Sequence, residues 1–178
     1  MKIVDIELSN HYKVVDDFLS KEKFKHLQST MLGPDFGWFY NPVIDNDEEE
    51  EGKFQFTHTF YRYNKPMSGF FNDWYEILFE PIIGDGVLDR IKANLLTKTP
   101  EIIENKLHTD IEPPKKPLTT SIFYVNTNNG YTKFKDGTKV ESLENRLVTF
   151  PVNTKHTGTT CTDENVRVVI NLLYMNYE

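Results

Sequence analysis

Val166-Arg167-Val168-Val169-Ile170-Asn171-Leu172-Leu173-Tyr174 is the most apolar strand candidate in the chain, and what precedes it decides the fold. It closes a succession of short strand candidates at 87–96, 103–110, 118–126, 131–135, 138–141, 146–150, 154–157 and 165–174. Turns separate them, and Asp136-Gly137 is a hairpin signal between two of them. About eight strands at this spacing predict a sandwich or a double-sheet barrel.

The N-terminal half adds helices. Residues 12–18 are a first strand candidate. Ser20 is placed to cap a helix running to about Met31, with Phe24, Leu27 and Met31 on one stripe and Gly33-Pro34 ending it. Residues 38–41 form a short strand candidate, and 53–63 a long one. In the long strand Phe54, Phe56, His58 and Phe60 share one face, and Gln55, Thr57, Thr59, Tyr61 and Tyr63 the other. Ser68 opens a second helix whose predicted buried stripe is Phe71, Trp74, Tyr75, Leu78 and Phe79, with Pro81 closing it. The expected fold is mainly β with N-terminal helices packed on one outer face. It forms a single domain over 1–178, with 1–90 as support and 91–178 as core.

Composition narrows the function classes. The chain has 178 residues, 38% apolar, with 13 Phe, 9 Tyr and 2 Trp. That length buries roughly 70% of the unfolded surface, enough for a core without staples. A formal net charge of −7 disfavours a dominant contact to a nucleic-acid backbone or an anionic membrane. One cysteine, Cys161, excludes an intramolecular disulfide and a cysteine-based zinc site. No apolar run approaches the ~20 residues needed to cross a bilayer, and the first residues carry no apolar leader. A cytoplasmic protein is expected. The acidic segment Asp45 to Glu51 reads as a solvated loop, or else as a lip attracting a basic substrate.

His108-Thr109-Asp110 ends a strand candidate. Alternate strand residues point the same way, so His108 and Asp110 project together with Cα atoms about 6–7 Å apart. His156 is the one histidine C-terminal to this pair, 46 residues beyond Asp110. That interval covers about four short strands, enough to wind round a barrel and return. Two histidines and one carboxylate on one side of a metal are the non-haem Fe(II) arrangement. A hydrolytic zinc site uses the same ligand types, and a chance His-x-Asp surface pair is the plainer alternative.

Arg167 lies 11 residues after His156, inside the apolar strand. A buried guanidinium needs an anion, and its planar fork suits a carboxylate. A structural pairing with Asp or Glu would also satisfy it.

Taken together, His108-Thr109-Asp110, His156 and Arg167 in this order resemble the 2-oxoglutarate/Fe(II)-dependent dioxygenase superfamily. The similarity is to the prolyl-4-hydroxylase-like branch, especially compact members from marine phage. It runs from about Ile91 to Tyr174 and includes Leu118 to Asn126, Gly130 to Phe134, Asn145 to Pro151 and His156-Thr157-Gly158-Thr159. The resemblance implies a double-stranded β-helix (jelly roll) and Fe(II) held by His108, Asp110 and His156. It also implies 2-oxoglutarate, whose distal carboxylate meets Arg167 and Tyr124. The implied reaction uses O2 to hydroxylate a peptidyl (for instance prolyl) or small-molecule substrate, with release of succinate and CO2. Family members often carry a tyrosine near the position of Leu96; leucine cannot donate, so that contact is absent or relocated. A non-catalytic jelly-roll binding module and a zinc hydrolase are the competing functions.

His58 reads as a structural histidine, His11 and His26 as surface residues, and Cys161 as a buried or loop thiol. Trp38, Tyr40, Tyr61 and Tyr63 fit either a substrate mouth or the core between helices and sheet.

Overall fold

The structure is a computed structural model that describes residues 12–44, 52–111 and 118–176. The acidic segment Asp45 to Glu51, His11 and the first residues lie outside the described residues.

Among the described residues, eleven strands and four helical pieces appear in chain order. Strand β1 (Lys13–Val15) leads into helix α1 (Lys21–Met31). The Ser20 side chain accepts from the Lys23 N–H, and Phe24, Leu27 and Met31 are buried, so cap and stripe follow the sequence pattern. Next come β2 (Phe39–Asn41), β3 (Gln55–Arg62) and β4 (Lys65–Pro66).

The second helical segment departs from expectation. Ser68 does mark its start, accepting from the Phe70 N–H at 3.2 Å. The segment then divides into α2 (Phe70–Trp74), a π-helical turn (Tyr75–Phe79) and α3 (Glu80–Ile83). Pro81 therefore does not close it. Proline is tolerated in a first turn, where its missing N–H is not needed, and the widened turn before it lets α3 begin afresh. Gly84 ends the segment at φ 59°. Tyr75 is 36% exposed rather than part of the buried stripe, because the π turn rotates it outward.

The remaining strands are β5 (Val87–Thr97), β6 (Thr119–Tyr124), β7 (Tyr131–Phe134), β8 (Lys139–Glu141), β9 (Leu147–Pro151), β10 (His156–Gly158) and β11 (Val166–Met175). The large sheet runs β1-β9-β6-β11-β5-β3-β2, with β4 beside β3. A small sheet runs β10-β7-β8. All pairings are antiparallel. The strand expected at 103–110 is absent. That segment touches its neighbours through two isolated bridges, Glu104 with Thr159 and His108 with His156.

Strand β11 lies between β5 and β6, which is why its sequence is so apolar. Its alternate residues go opposite ways. Val168, Ile170, Leu172 and Tyr174 join the larger core with Phe24, Leu27, Trp74, Leu78 and Phe79 from the helices. Arg167, Val169 and Asn171 instead line a cavity. Behind that cavity a smaller core gathers Ile122, Tyr124, Phe134, Val148 and Phe150. No helix among the described residues is long and apolar enough to cross a membrane.

Candidate metal centre

Two backbone hydrogen bonds set the site. The His108 N–H donates to the His156 carbonyl at 2.9 Å, and the His156 N–H returns the bond at 3.0 Å. This single bridge stands in for the expected strand and brings the rings to 4.7 Å between centroids. Nδ1 of His108 faces the Lys106 carbonyl at 3.2 Å, and Nδ1 of His156 the Thr154 carbonyl at 3.0 Å. Carbonyls only accept, so each ring donates from Nδ1 and presents Nε2 as the nitrogen a metal would bind.

Asp110 completes the cluster. One ligand atom from each of His108, Asp110 and His156 lies within 4.8 Å of the others. His156 Nε2 is 3.9 Å from Asp110 Oδ2. Thr120 on β6 donates to Oδ2 at 2.7 Å, and Arg90 on β5 donates to Oδ1 at 3.2 Å. Burial raises the Asp110 pKa, but His156, Arg90, Thr120 and His108 together outweigh it and hold the carboxyl below its ordinary value. Two imidazoles and one carboxylate, already oriented, are a donor set that fits a divalent cation.

Arg167 lies in the same cavity and is 3% exposed. Its Nε donates to Ser142 Oγ at 2.8 Å and its Nη2 to Thr132 Oγ1 at 3.3 Å. No described carboxylate pairs with it, which removes the structural Arg–Asp or Arg–Glu reading among the described residues. Burial lowers its pKa, and the only charge influences opposing this come from Tyr124 and Cys161. Gly130 makes room for its stem: an added Cβ there would stand 2.7 Å from Arg167 Cδ and 2.7 Å from the Thr160 carbonyl.

Tyr124 sits behind the cavity wall. Its hydroxyl donates to Thr132 Oγ1 at 2.8 Å, and its ring lies 5.8 Å from the Arg167 guanidinium carbon. Leu96 lines the cavity directly across the ladder from Arg167. Sequence reasoning missed Thr132, Thr120, Arg90 and the asparagines 94, 105 and 171, all near the ligand cluster or lining the cavity. Alternation on β5 and β11 could have found Asn94 and Asn171, since they share faces with Leu96 and Arg167.

Other candidates lie elsewhere. His58 bonds the Gly37 carbonyl at 2.7 Å and Ser68 at 2.8 Å, packs on Phe36 and Phe60, and has its pKa lowered by burial. It faces away from the cavity. Cys161 is fully buried, and its thiol bonds the Glu164 carbonyl. Trp38 and Tyr61 pack on the core, while Tyr40 and Tyr63 are exposed.

Comparison with solved structures identifies the architecture. A Trichoplax adhaerens prolyl hydroxylase, solved with a peptide fragment of the hypoxia inducible factor oxygen degradation domain, matches at TM-score 0.66 and 12% identity. The match covers 97% of this chain and 87% of that one. A Pseudomonas putida prolyl-4-hydroxylase matches at TM-score 0.64 and 14% identity over 98% and 97% of the two chains. A non-heme alpha ketoglutarate dependent epimerase from nogalamycin biosynthesis matches at TM-score 0.66 and 10% identity, covering 93% and 78%. This chain has the fold of the 2-oxoglutarate/Fe(II) oxygenases. No protein-family model and no curated protein matches the sequence. The shared fold accounts for the two-sheet arrangement.

Proposed function

We propose that the protein is an Fe(II)- and 2-oxoglutarate-dependent oxygenase that hydroxylates its substrate and releases succinate and CO2. The observation that carries this reading is one cavity holding both a His-Asp-His cluster and a fully buried arginine that pairs with no acidic side chain among the described residues. A zinc hydrolase has use for the first but none for the second. A binding module has no need of three convergent ligand atoms with both imidazoles donating from Nδ1 and presenting Nε2.

The Nε2 atoms of His108 and His156 and the Asp110 carboxylate would hold Fe(II). Bound there, Fe(II) with 2-oxoglutarate supplies O2 activation coupled to oxidative decarboxylation. Arg90 and Thr120 fix the Asp110 carboxylate, so the ligand does not swing when the ion leaves. Arg167 and the Thr132 hydroxyl take the distal carboxylate of 2-oxoglutarate, and Tyr124 orients Thr132 from behind. Leu96, Ile122 and Val169 are apolar residues of the wall and shield the cosubstrate from water. The neighbours' peptide and small-molecule chemistries leave both substrate classes within this reading.

The test is turnover. Fe(II)-loaded protein with 2-oxoglutarate in air should release succinate, and none should form without O2 or with Zn(II) in place of Fe(II). Hydrolytic turnover with Zn(II), or no succinate under any condition, would contradict the reading.

A further inference from the structure

Residues 98–110 carry two of the three ligands of the candidate metal centre, yet they form no strand and give no side chain to either hydrophobic core. Backbone and hydroxyl hydrogen bonds tie the segment down instead. The Thr99 N–H donates to the Cys161 carbonyl at 3.0 Å, and the Asn105 N–H to the Gly158 carbonyl at 3.2 Å. The Ile103 N–H donates to Thr160 Oγ1 at 2.9 Å, and the Thr160 N–H returns a bond to the Ile103 carbonyl at 3.1 Å. Beyond Asn105, Lys106 and Leu107 are exposed, and Leu107 shows 46% of its surface. His108 follows directly.

Glu104 is where this segment reaches across to the small sheet with a charge. One carboxylate oxygen accepts from the Tyr131 hydroxyl at 2.6 Å, and the other from Lys133 Nζ at 2.7 Å. Both are lengths of charge-assisted bonds. Lys133, and then Tyr131, hold the Glu104 carboxyl below its ordinary value, so it is ionised at neutral pH. Lys139 Nζ lies 4.0 Å from the centre of the Tyr131 ring and steadies it.

The strand that receives these bonds is the one next to the rest of the site. Tyr131 and Lys133 project from one face of β7, and Thr132 and Phe134 from the other. Thr132 accepts from Arg167, and Phe134 is paired with His156 on β10. Glu104 therefore links the two-ligand segment to the sheet that presents the third ligand. A half-exposed ion pair contributes little to overall stability, so its effect is local.

We propose that Glu104 is a positioning residue for the metal centre: by bridging Tyr131 and Lys133 it clamps the segment carrying His108 and Asp110 against the sheet carrying His156. This rests on the oxygenase reading. Glu104 touches no ligand atom itself; it acts by fixing where His108 and Asp110 stand before the ion arrives.

The experiment titrates metal-free protein with Fe(II) anaerobically, without 2-oxoglutarate. Glu104→Ala should weaken Fe(II) binding by about five- to tenfold, the lower end of what loss of an outer partner costs. The double variant Tyr131→Phe/Lys133→Met should do the same from the other side. Combining all three changes should cost no more than either alone, because one interaction has been removed. Glu104→Gln keeps an acceptor for Tyr131 and should recover part of the loss. Hydrogen exchange of the metal-free Glu104→Ala protein should quicken at the Asn105 and His108 amides and stay at wild-type rates in α1 and β11. Wild-type Fe(II) affinity in Glu104→Ala, or losses that add in the combined variant, overturns the inference. So does faster exchange throughout the protein, which would make Glu104 a general structural contact. The wild type separates the two failures. If it takes up no Fe(II), the oxygenase reading fails and the inference with it; if it does and every variant matches it, only the clamp fails.

Discussion

Arg167 and Leu96 stand directly opposite each other on β11 and β5, a buried cation facing an aliphatic side chain inside one cavity. Among the described residues no acidic side chain pairs with the guanidinium. The charge is met by Ser142 and Thr132 hydroxyls and is left for an anion to complete. Arg167→Met should therefore weaken 2-oxoglutarate binding by roughly one to two orders of magnitude, the equivalent of a charge-assisted contact. Arg167→Lys should lose part of this, because it keeps the charge without the fork. Titration of 2-oxoglutarate, with metal loading measured separately, checks both.

Asp110 is held by Thr120 and Arg90 before any metal arrives. Asp110→Ala should reduce Fe(II) affinity by more than the roughly 10–100-fold that loss of an outer partner costs. Thr120→Val should fall within that range. Fe(II) titration of the three proteins gives the ranking wild type, Thr120→Val, Asp110→Ala; the same affinity throughout would remove Asp110 from the ligand set.

Gly130 is the point where the chain lets the Arg167 stem pass. Gly130→Ala would place a Cβ against Arg167 Cδ, the Thr160 carbonyl and Asn128 Oδ1, each under 3.0 Å away. Overpacking of this kind costs about 1–3 kcal/mol. The melting temperature should fall by roughly 2–4 °C for each kcal/mol in a chain this long. Affinity for 2-oxoglutarate should fall with it, since the arginine must shift. A thermal melt and a cosubstrate titration read the two effects.

The helix α1 end of the molecule carries a separate acid-sensitive contact. Arg146 holds Asp16 through Nε at 2.5 Å and Nη2 at 2.9 Å. That hydrogen bonding lowers the Asp16 pKa. A depressed carboxyl pKa contributes stability that is present above the unfolded value of about 3.9 and is lost as pH falls through the folded value. The pair is partly exposed, so Asp16→Asn should cost at most about 1 kcal/mol at neutral pH. The gap between the two melting temperatures should narrow as pH falls below the ordinary carboxyl value of about 3.9 and close in strong acid. A gap that persists there would mean the contact is not ionic.

Much of this was legible in the sequence because it was local. Ser20, Phe24, Leu27 and Met31 announce α1 by cap and period, and Asp136-Gly137 announces the β7–β8 turn, where Gly137 takes φ 91°. Arg167 stood out because a cation in an apolar strand has few physical explanations. What failed depended on tertiary partners. Residues 103–110 looked like a strand, yet they meet His156 and Thr159 through two isolated bridges only, without a continuous ladder. Pro81 looked like a stop, since the π turn before it is not visible in a periodicity of 3.6. The three asparagines that line the cavity were silent, since an amide is ordinary in a sequence until its neighbours in the fold are known.

In the proposed function His108, Asp110, His156 and Arg167 together hold Fe(II) with 2-oxoglutarate. The most direct measurement is the visible spectrum of the protein after anaerobic addition of Fe(II) and then 2-oxoglutarate. A charge-transfer band should appear only when both are present, saturate at one equivalent of metal, and vanish in His156→Ala. Fe(II) binding with no band at saturating 2-oxoglutarate, or an unchanged band in His156→Ala, would contradict the account.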